Sequence, residues 1–494
     1  MPMKPSHALR TIPLVALLVL LLLPAARAAA SASQVTIMQD DNQIVFVSDA
    51  HRAKTLDEMK ALGADVVKIR VDWRSLSPSA GSKQKPSGFS GRDPNEYRGA
   101  VWAAYDRTII AITGRGMRAY LQLGGRAPRW ASGSGPEVRP KASDFGHFVE
   151  AVGTRYSGSF HSSLVAAPLP RVTVFSVWTE PNLFSWLSPQ YSGSRPTSPR
   201  IYRDLVRAAD KGLAASGHGG DEMLIGELLP FARSGEAGSR KVRPIEFLRE
   251  LACVDGQYHA YKGKAAKERG CQNFKAIPGT GLAYHPYTLP GGPDVATPNA
   301  DDASISELGR VVRALDKLSS RHRLESGRMP IWISEFGFQT DPPDRYQTPI
   351  KKVPGFLGQA EWLAYRNPRV ASFSQYPLVD DPIKGGGGFQ SGLRKHDGKK
   401  KGDVYKAFQL PLFVQRRSDK VVEVFGGVRG GAPGGQVTIE SRKGKGKFKK
   451  LSGGTVQLGS EGYFDRVFTL SDAAKRVYRF RFSGRTSRTA SVHR

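Results

Sequence analysis

The chain has 494 residues, 73 Lys and Arg against 44 Asp and Glu, a formal net charge of +29 and two cysteines. That length excludes a single small domain and suits one large domain with a smaller one beside it. Two cysteines exclude a disulfide-dense scaffold and any Cys/His metal spacing, and beyond the N-terminus no apolar run approaches the ~18 residues of a spanning helix.

The first predicted element is a leader. Lys4 and Arg10 precede the apolar run "LVALLVLLLL" at 14–23, and "AARA" follows, with Ala26 and Ala28 in small-x-small register. This reads as a secretory signal peptide over 1–28 with the mature chain starting at Ala29, too short and wrongly flanked for a membrane span. A secreted chain with only Cys253 and Cys271 is expected to pair them in a disulfide.

Eight short apolar, β-branched runs then recur: "QIVFVSD" (43–49), "DVVKIRVDW" (65–73), "MRAYLQLGG" (117–125), "RVTVFSVWTE" (171–180), "MLIGELLP" (223–230), "GLAYHPY" (281–287), "MPIWISEFG" (329–337) and "RVASFSQYP" (369–377). Helical patterns lie between them. "TLDEMKALGAD" carries a capping box, Thr55 with Glu58, and stops at Gly63. "SDFGHFVEAVGTRYS" puts Phe145, Phe148, Val149, Val152 and Tyr156 on one face, and "SISELGRVVRALDKLSSR" does the same with Ile305, Leu308, Val311, Val312, Leu315 and Leu318. Strands and helices alternating eight times over about 350 residues predict an α/β fold, a (β/α)8 TIM barrel, over 29–412. A doubly wound sheet usually carries a glycine-rich phosphate turn after its first strand, and "VFVSDAHRAKT" has none. "GGGG" at 385–388 reads as a loop at the barrel mouth.

After Leu412 the pattern changes to short strands split by Gly, Ser and Asp. In "RVYRFRFSG", Tyr478, Phe480 and Phe482 alternate with Arg479 and Arg481. A small C-terminal all-β sandwich over 413–485 is expected, followed by a disordered basic tail over 486–494. From 391 to 494 there are 24 Lys and Arg against 8 Asp and Glu. Such a region suits an anionic cell-wall polymer or serves as a solvated surface, and an exported chain makes nucleic acid an unexpected partner.

Chemistry concentrates at the predicted strand ends, where TIM-barrel enzymes place it. Glu180, Glu227, His285 and Glu335 fall there with spacings of 47, 58 and 50 residues. Strands four and seven face each other across such a mouth. Glu180 and Glu335 are therefore positioned for the ~5–5.5 Å separation at which one carboxyl protonates a leaving oxygen and the other attacks an anomeric carbon. Glu227 is a third acid, read as a subsite or ion-pair residue. Trp130, in "GGRAPRWAS", either stacks on a substrate ring or packs its loop.

"WTEPN" resembles the Asn-Glu-Pro motif of the clan-A glycoside hydrolases, and "WISEFG" their nucleophile strand. "KIRVDW" resembles the strand-two arginine and "AYHPY" the strand-six His-x-Tyr. The likeness spans about 35–412 and is nearest to family 39-like and cellulase-like members. It implies a secreted retaining glycosidase acting on a carbohydrate, with Glu180 as acid/base and Glu335 as nucleophile. Arg70 would support the nucleophile, while Thr179, Asn182, His285 and Tyr287 would complete the site, with no cofactor or metal. Thr179 stands where the family has the asparagine that binds the sugar hydroxyl next to the anomeric carbon. A non-catalytic carbohydrate-binding protein on the same scaffold is the alternative that this change raises. Many members also have a tryptophan after strand eight; here "SFSQYPLVD" offers Tyr376 as a platform or as a core aromatic.

Overall fold

A computed structural model describes residues 34–232, 240–343, 347–383, 388–431 and 433–493. The leader therefore lies outside the described residues, as do 385–387 of the glycine run and 233–239 of the loop after the fifth strand.

Eight parallel strands close into a barrel: β1 Val35–Gln39, β2 Val66–Val71, β3 Arg118–Leu123, β4 Val174–Val177, β5 Glu222–Leu228, β6 Gly281–Tyr284, β7 Ile331–Ile333 and β8 Val370–Gln375. β1 closes the circle by pairing β8 on one side and β2 on the other. Seven of the eight predicted runs are these strands. The eighth is a correction: residues 43–49 hold a short helix, Asp41–Ile44, and the lead into the helix Asp49–Ala61, and the first strand is "VTIMQ". Ile44 and Val45 of that run are buried while Phe46 is 65% exposed, so it plugs a βα loop rather than alternating across a sheet. The predicted capping box fails for the same reason. Ser48 caps the helix by accepting from the His51 N–H, and Thr55 lies buried inside it.

Between the strands, the helix Ala142–Arg155 buries Phe145, Phe148, Val149 and Val152, as its spacing predicts. The helix Leu308–Ser319 buries Leu308, Val311, Leu315 and Leu318, leaving Val312 half-buried at its edge. Each such side chain contributes roughly 1.5–3 kcal/mol by leaving water. Inside the barrel, Ile37, Val66, Tyr120, Val174, Leu224, Ala283 and Trp332 form an apolar base from seven strands. The layer above it is polar and carries the site.

After β8 the chain forms antiparallel strands: β9 Leu412–Arg416, β10 Val421–Gly427, β11 Gln436–Lys443, β12 Lys449–Gln457, β13 Tyr463–Thr469, β14 Arg476–Phe482, β15 Arg485–Thr486 and β16 Ala490–Ser491. A sheet of β9, β10 and β13 faces one of β12, β11, β14, β15 and β16 across a shared core that includes Val424, Phe464, Ile439 and Phe480. The expected disordered tail is a second correction. β15 and β16 both pair with β14, Ser487 is buried, and Arg488 donates to the Leu412 carbonyl. Alternating Arg and small residues look solvated in sequence, yet the backbone here completes a sheet edge.

The two domains meet on the helix Val353–Tyr365. Its Glu361 is buried and accepts from Arg429 and from the Tyr463 hydroxyl, both at 2.5 Å, while Trp362 packs on Phe413. Cys253 and Cys271 are disulfide-bonded. Among the described residues no helix is long and apolar enough to cross a membrane.

Candidate active site

The polar layer is built around Glu227. At the end of β5 the pairing with β6 slips between Gly226 and Leu228, and both Gly226 (φ 107°) and Glu227 (φ 52°) sit in the left-handed region. This irregularity turns a residue from the strand into the lumen. There the Glu227 carboxylate, fully buried, accepts from five side chains. They are Lys68 Nζ at 2.7 Å, Tyr120 OH at 2.6 Å, Ser176 Oγ at 2.5 Å, His285 Nε2 at 2.6 Å and Ser334 Oγ at 2.8 Å. Burial pushes this carboxyl up, but Lys68 and His285 outweigh it and hold it well below the usual carboxylate range. Of the two sequence readings for Glu227, the ion pair stands and the subsite does not, because no lone pair or surface is left for a ligand.

His285 joins that layer to the mouth. Its Nε2 meets Glu227, its Nδ1 lies 3.1 Å from Glu180 Oε1, and Glu335 Oε2 is 3.9 Å away. Burial opposes the charged ring, but Glu335, Glu180 and Glu227 together raise its pKa to about 9. Both ring nitrogens therefore donate, one to each layer.

Glu180 and Glu335 each bring a carboxylate oxygen to within 4.8 Å of the other and of a His285 nitrogen. Their side chains are 13% and 11% exposed, against 0% for Glu227, so only this pair can meet a substrate. The Tyr287 hydroxyl donates to Glu335 Oε1 at 2.6 Å. Burial pushes the Glu335 carboxyl up; His285 opposes that shift and the charge of Glu180 adds to it. The same triplet is within reach for a divalent cation, but an imidazolium has no free lone pair, so an ion there would first have to displace a proton.

The backbone at the end of β4 is contorted to present this acid. Trp178 (φ 69°) and Glu180 (φ 37°) are both left-handed, a conformation that costs an L-residue on the order of 1–3 kcal/mol and collects at functional sites. Trp178 is buried, donates its indole N–H to the Trp186 carbonyl, and lies so close to Gly124 that a Cβ there would sit 2.8 Å from its ring. Glycine at 124 is thus what lets the turn carrying Glu180 pack.

The remaining predicted residues divide. Thr179 is buried at the mouth with its Oγ1 unpartnered, beside Gly125. Tyr376 is half-buried, its ring edge-on to Phe389 and its phenol pushed well up by burial and by the charge of Glu335. Asn182 is not a ligand-binding residue. It is buried, donating to the Leu229 and Val242 carbonyls and accepting from the Leu229 N–H, and so clamps two loops. Trp130 is not a sugar platform either, being 3% exposed, packed edge-on to Trp73 and Phe89 and donating to the Pro78 carbonyl. Arg70 makes no contact with Glu335; its guanidinium lies 5.0 Å from the Trp186 ring.

Sequence reasoning missed Lys68, Tyr120, Ser176, Ser334 and Trp186. Lys68 left a signal: a lysine between apolar neighbours in "VVKIRV" lies inside a two-sided buried strand and must have an acid partner. Glu180 and Tyr287 line a cleft of about 400 Å3, together with Leu229, Phe338 and Phe389 among the described residues.

No family model and no curated protein matches the chain. Among solved structures, a glycoside hydrolase shares 14% identity over 76% of this chain and 98% of its own, with a TM-score of 0.38. A family 5 mannosidase from Rhizomucor miehei shares 10% over 78% and 92% (TM-score 0.38), and an alpha-amylase from Lactobacillus plantarum 12% over 89% and 99% (0.32). At these scores the likeness reaches no further than the barrel that the strand order already defines.

Proposed function

We propose that the protein is an exported retaining glycoside hydrolase acting on a polysaccharide or glycoside. The observation that carries this reading is the approach of Glu180 and Glu335 to within 4.8 Å at the open, C-terminal end of the barrel. An oxygen–oxygen approach within 4.8 Å supports the retaining arrangement, whose acids stand ~5–5.5 Å apart, over the inverting one at ~6.5–9.5 Å.

In the first step Glu335 attacks the anomeric carbon while Glu180 gives its proton to the departing oxygen, forming a glycosyl ester and a free alcohol. In the second, Glu180 takes a proton from water, whose oxygen attacks the same carbon and releases Glu335. The Tyr287 hydroxyl and the His285 ring favour the ionised form of Glu335 as it prepares to attack. The buried Thr179 hydroxyl, which has no partner, borders this pair and would have to be uncovered to meet the sugar hydroxyl beside the reacting carbon. The basic sandwich would hold the enzyme on an anionic cell-wall polymer.

Purified protein screened on polysaccharides and aryl glycosides is expected to hydrolyse at least one. Glu180→Gln and Glu335→Gln should each lower kcat/KM by at least ~1000-fold, given the scale of acid–base and nucleophilic terms. The shortened side chain of Thr179 favours the non-catalytic alternative, and wild-type turnover in either variant, or none in the folded native protein, would sink the hydrolase.

A further inference from the structure

A second cleft, of about 650 Å3, opens on the β1–β3 side of the same mouth. Arg70, at the end of β2, and Arg126, in the loop after β3, line it and share one indole. Their guanidinium carbons lie 5.0 and 5.2 Å from the Trp186 ring. No carboxylate lies within ion-pair distance of either among the described residues, and the Arg70 Nε is buried with no hydrogen-bond partner. Asp41 and Asp72 line the cleft as well, but each is engaged with the backbone, Asp41 accepting from the Arg70 N–H and Asp72 from the Ser75 N–H.

Two cations held on one ring repel each other, yet half-buried Arg70, its Nε unpaired, and exposed Arg126 keep that place without a carboxylate partner among the described residues. Stacking on Trp186 removes much of their freedom in advance, so the forks are already placed for a planar anion. The cleft adjoins the acid/base: Arg70 Cδ and Thr179 Oγ1 both lie 3.2 Å from where a Gly125 Cβ would stand, and Thr179 is the neighbour of Glu180. We infer that the Arg70–Arg126–Trp186 cleft is a subsite for a carboxylated sugar, and that the substrate is a uronate-containing polysaccharide. This rests on the hydrolase reading for the word substrate; the binding site itself does not.

The test uses the full chain with Glu335→Gln, so that no probe is consumed. Unsubstituted tetramers of galacturonate, mannuronate and glucuronate, and their methyl esters, are titrated by calorimetry. At least one acid form is expected to bind roughly ten- to hundred-fold more tightly than its ester, the scale of a charge-assisted fork. Arg126→Ala, at an exposed position, should erase that ratio while leaving the melting temperature in place. Binding of no acid form, no preference over the esters, or a preference that survives both Arg126→Ala and Arg70→Gln would overturn the assignment. A preference that those substitutions erase, in a native protein that hydrolyses nothing, keeps the subsite and removes the hydrolase.

Discussion

The barrel contains two groups of buried acids only one residue layer apart, and they are treated in opposite ways. Around Glu227 a single carboxylate receives five donors, one of them a lysine, and water reaches none of them. Around Glu180 and Glu335 two carboxylates share one imidazole and one phenol; Glu180 lines the cleft and Glu335 keeps 11% of its side chain exposed. The deeper acid is saturated, so its charge is fixed and it can only support. The upper pair is under-supplied, so protons can move there. His285 belongs to both, tied to Glu227 at one nitrogen and to Glu180 at the other.

That contrast can be broken from either side. The largest stability effect should come from Lys68→Met, which leaves Glu227 with the His285 ring as its one remaining cation among the five donors. Breaking a buried pair by removing one partner costs about 3–5 kcal/mol, read as a loss in chemical denaturation.

Next comes the pH response of His285. Its pKa is raised in the fold, so its contribution is complete below about 6.5, the ordinary histidine value, and disappears as pH rises through about 9. On the order of 3 kcal/mol should be lost across that window, and His285→Gln should flatten the curve there. A native protein equally stable at pH 6 and pH 9.5 would refute the bridging role.

Tyr120→Phe removes one donor from Glu227 and should cost about 1.5–3 kcal/mol, the worth of a hydrogen bond to a charged group. The smallest effect on stability belongs to Tyr287→Phe at the mouth. It should change stability by no more than ~1 kcal/mol while moving the acid limb of kcat/KM to higher pH, because the phenol holds the Glu335 carboxyl down. An unshifted limb would detach Tyr287 from the reacting pair.

Much of this was legible in the sequence, and the exceptions have physical causes. Periodicity places seven barrel strands because each is a short apolar run flanked by helix signals, and "WTEPN" and "WISEFG" place the two mouth acids. The first strand escapes the sequence pattern because "QIVFVSD" and "VTIMQ" are both apolar, and the loop packing of Ile44 and Val45 distinguishes them. Asn182 departs from its expected role, and Trp130 takes the loop-packing one of its two, because a short amide or an indole in a loop looks the same whether it faces a ligand or satisfies neighbouring carbonyls. Here the Leu229, Val242 and Pro78 carbonyls claim them. The irregularity at Gly226 that swings Glu227 inward has no sequence signature beyond the glycine itself. The sharing of Trp186 by Arg70 and Arg126 depends on a loop path that no spacing rule reads.

The most direct test sets Glu335→Gln beside Glu227→Gln, each measured for hydrolysis of the best substrate and for thermal stability. A crossed result is expected: Glu335→Gln melts no lower than the native protein and is inactive, while Glu227→Gln loses several degrees of melting temperature because Lys68 is left without a counter-charge. Glu335→Gln destabilised as much as Glu227→Gln, or still turning over substrate, would contradict the division between a supporting acid and a reacting pair.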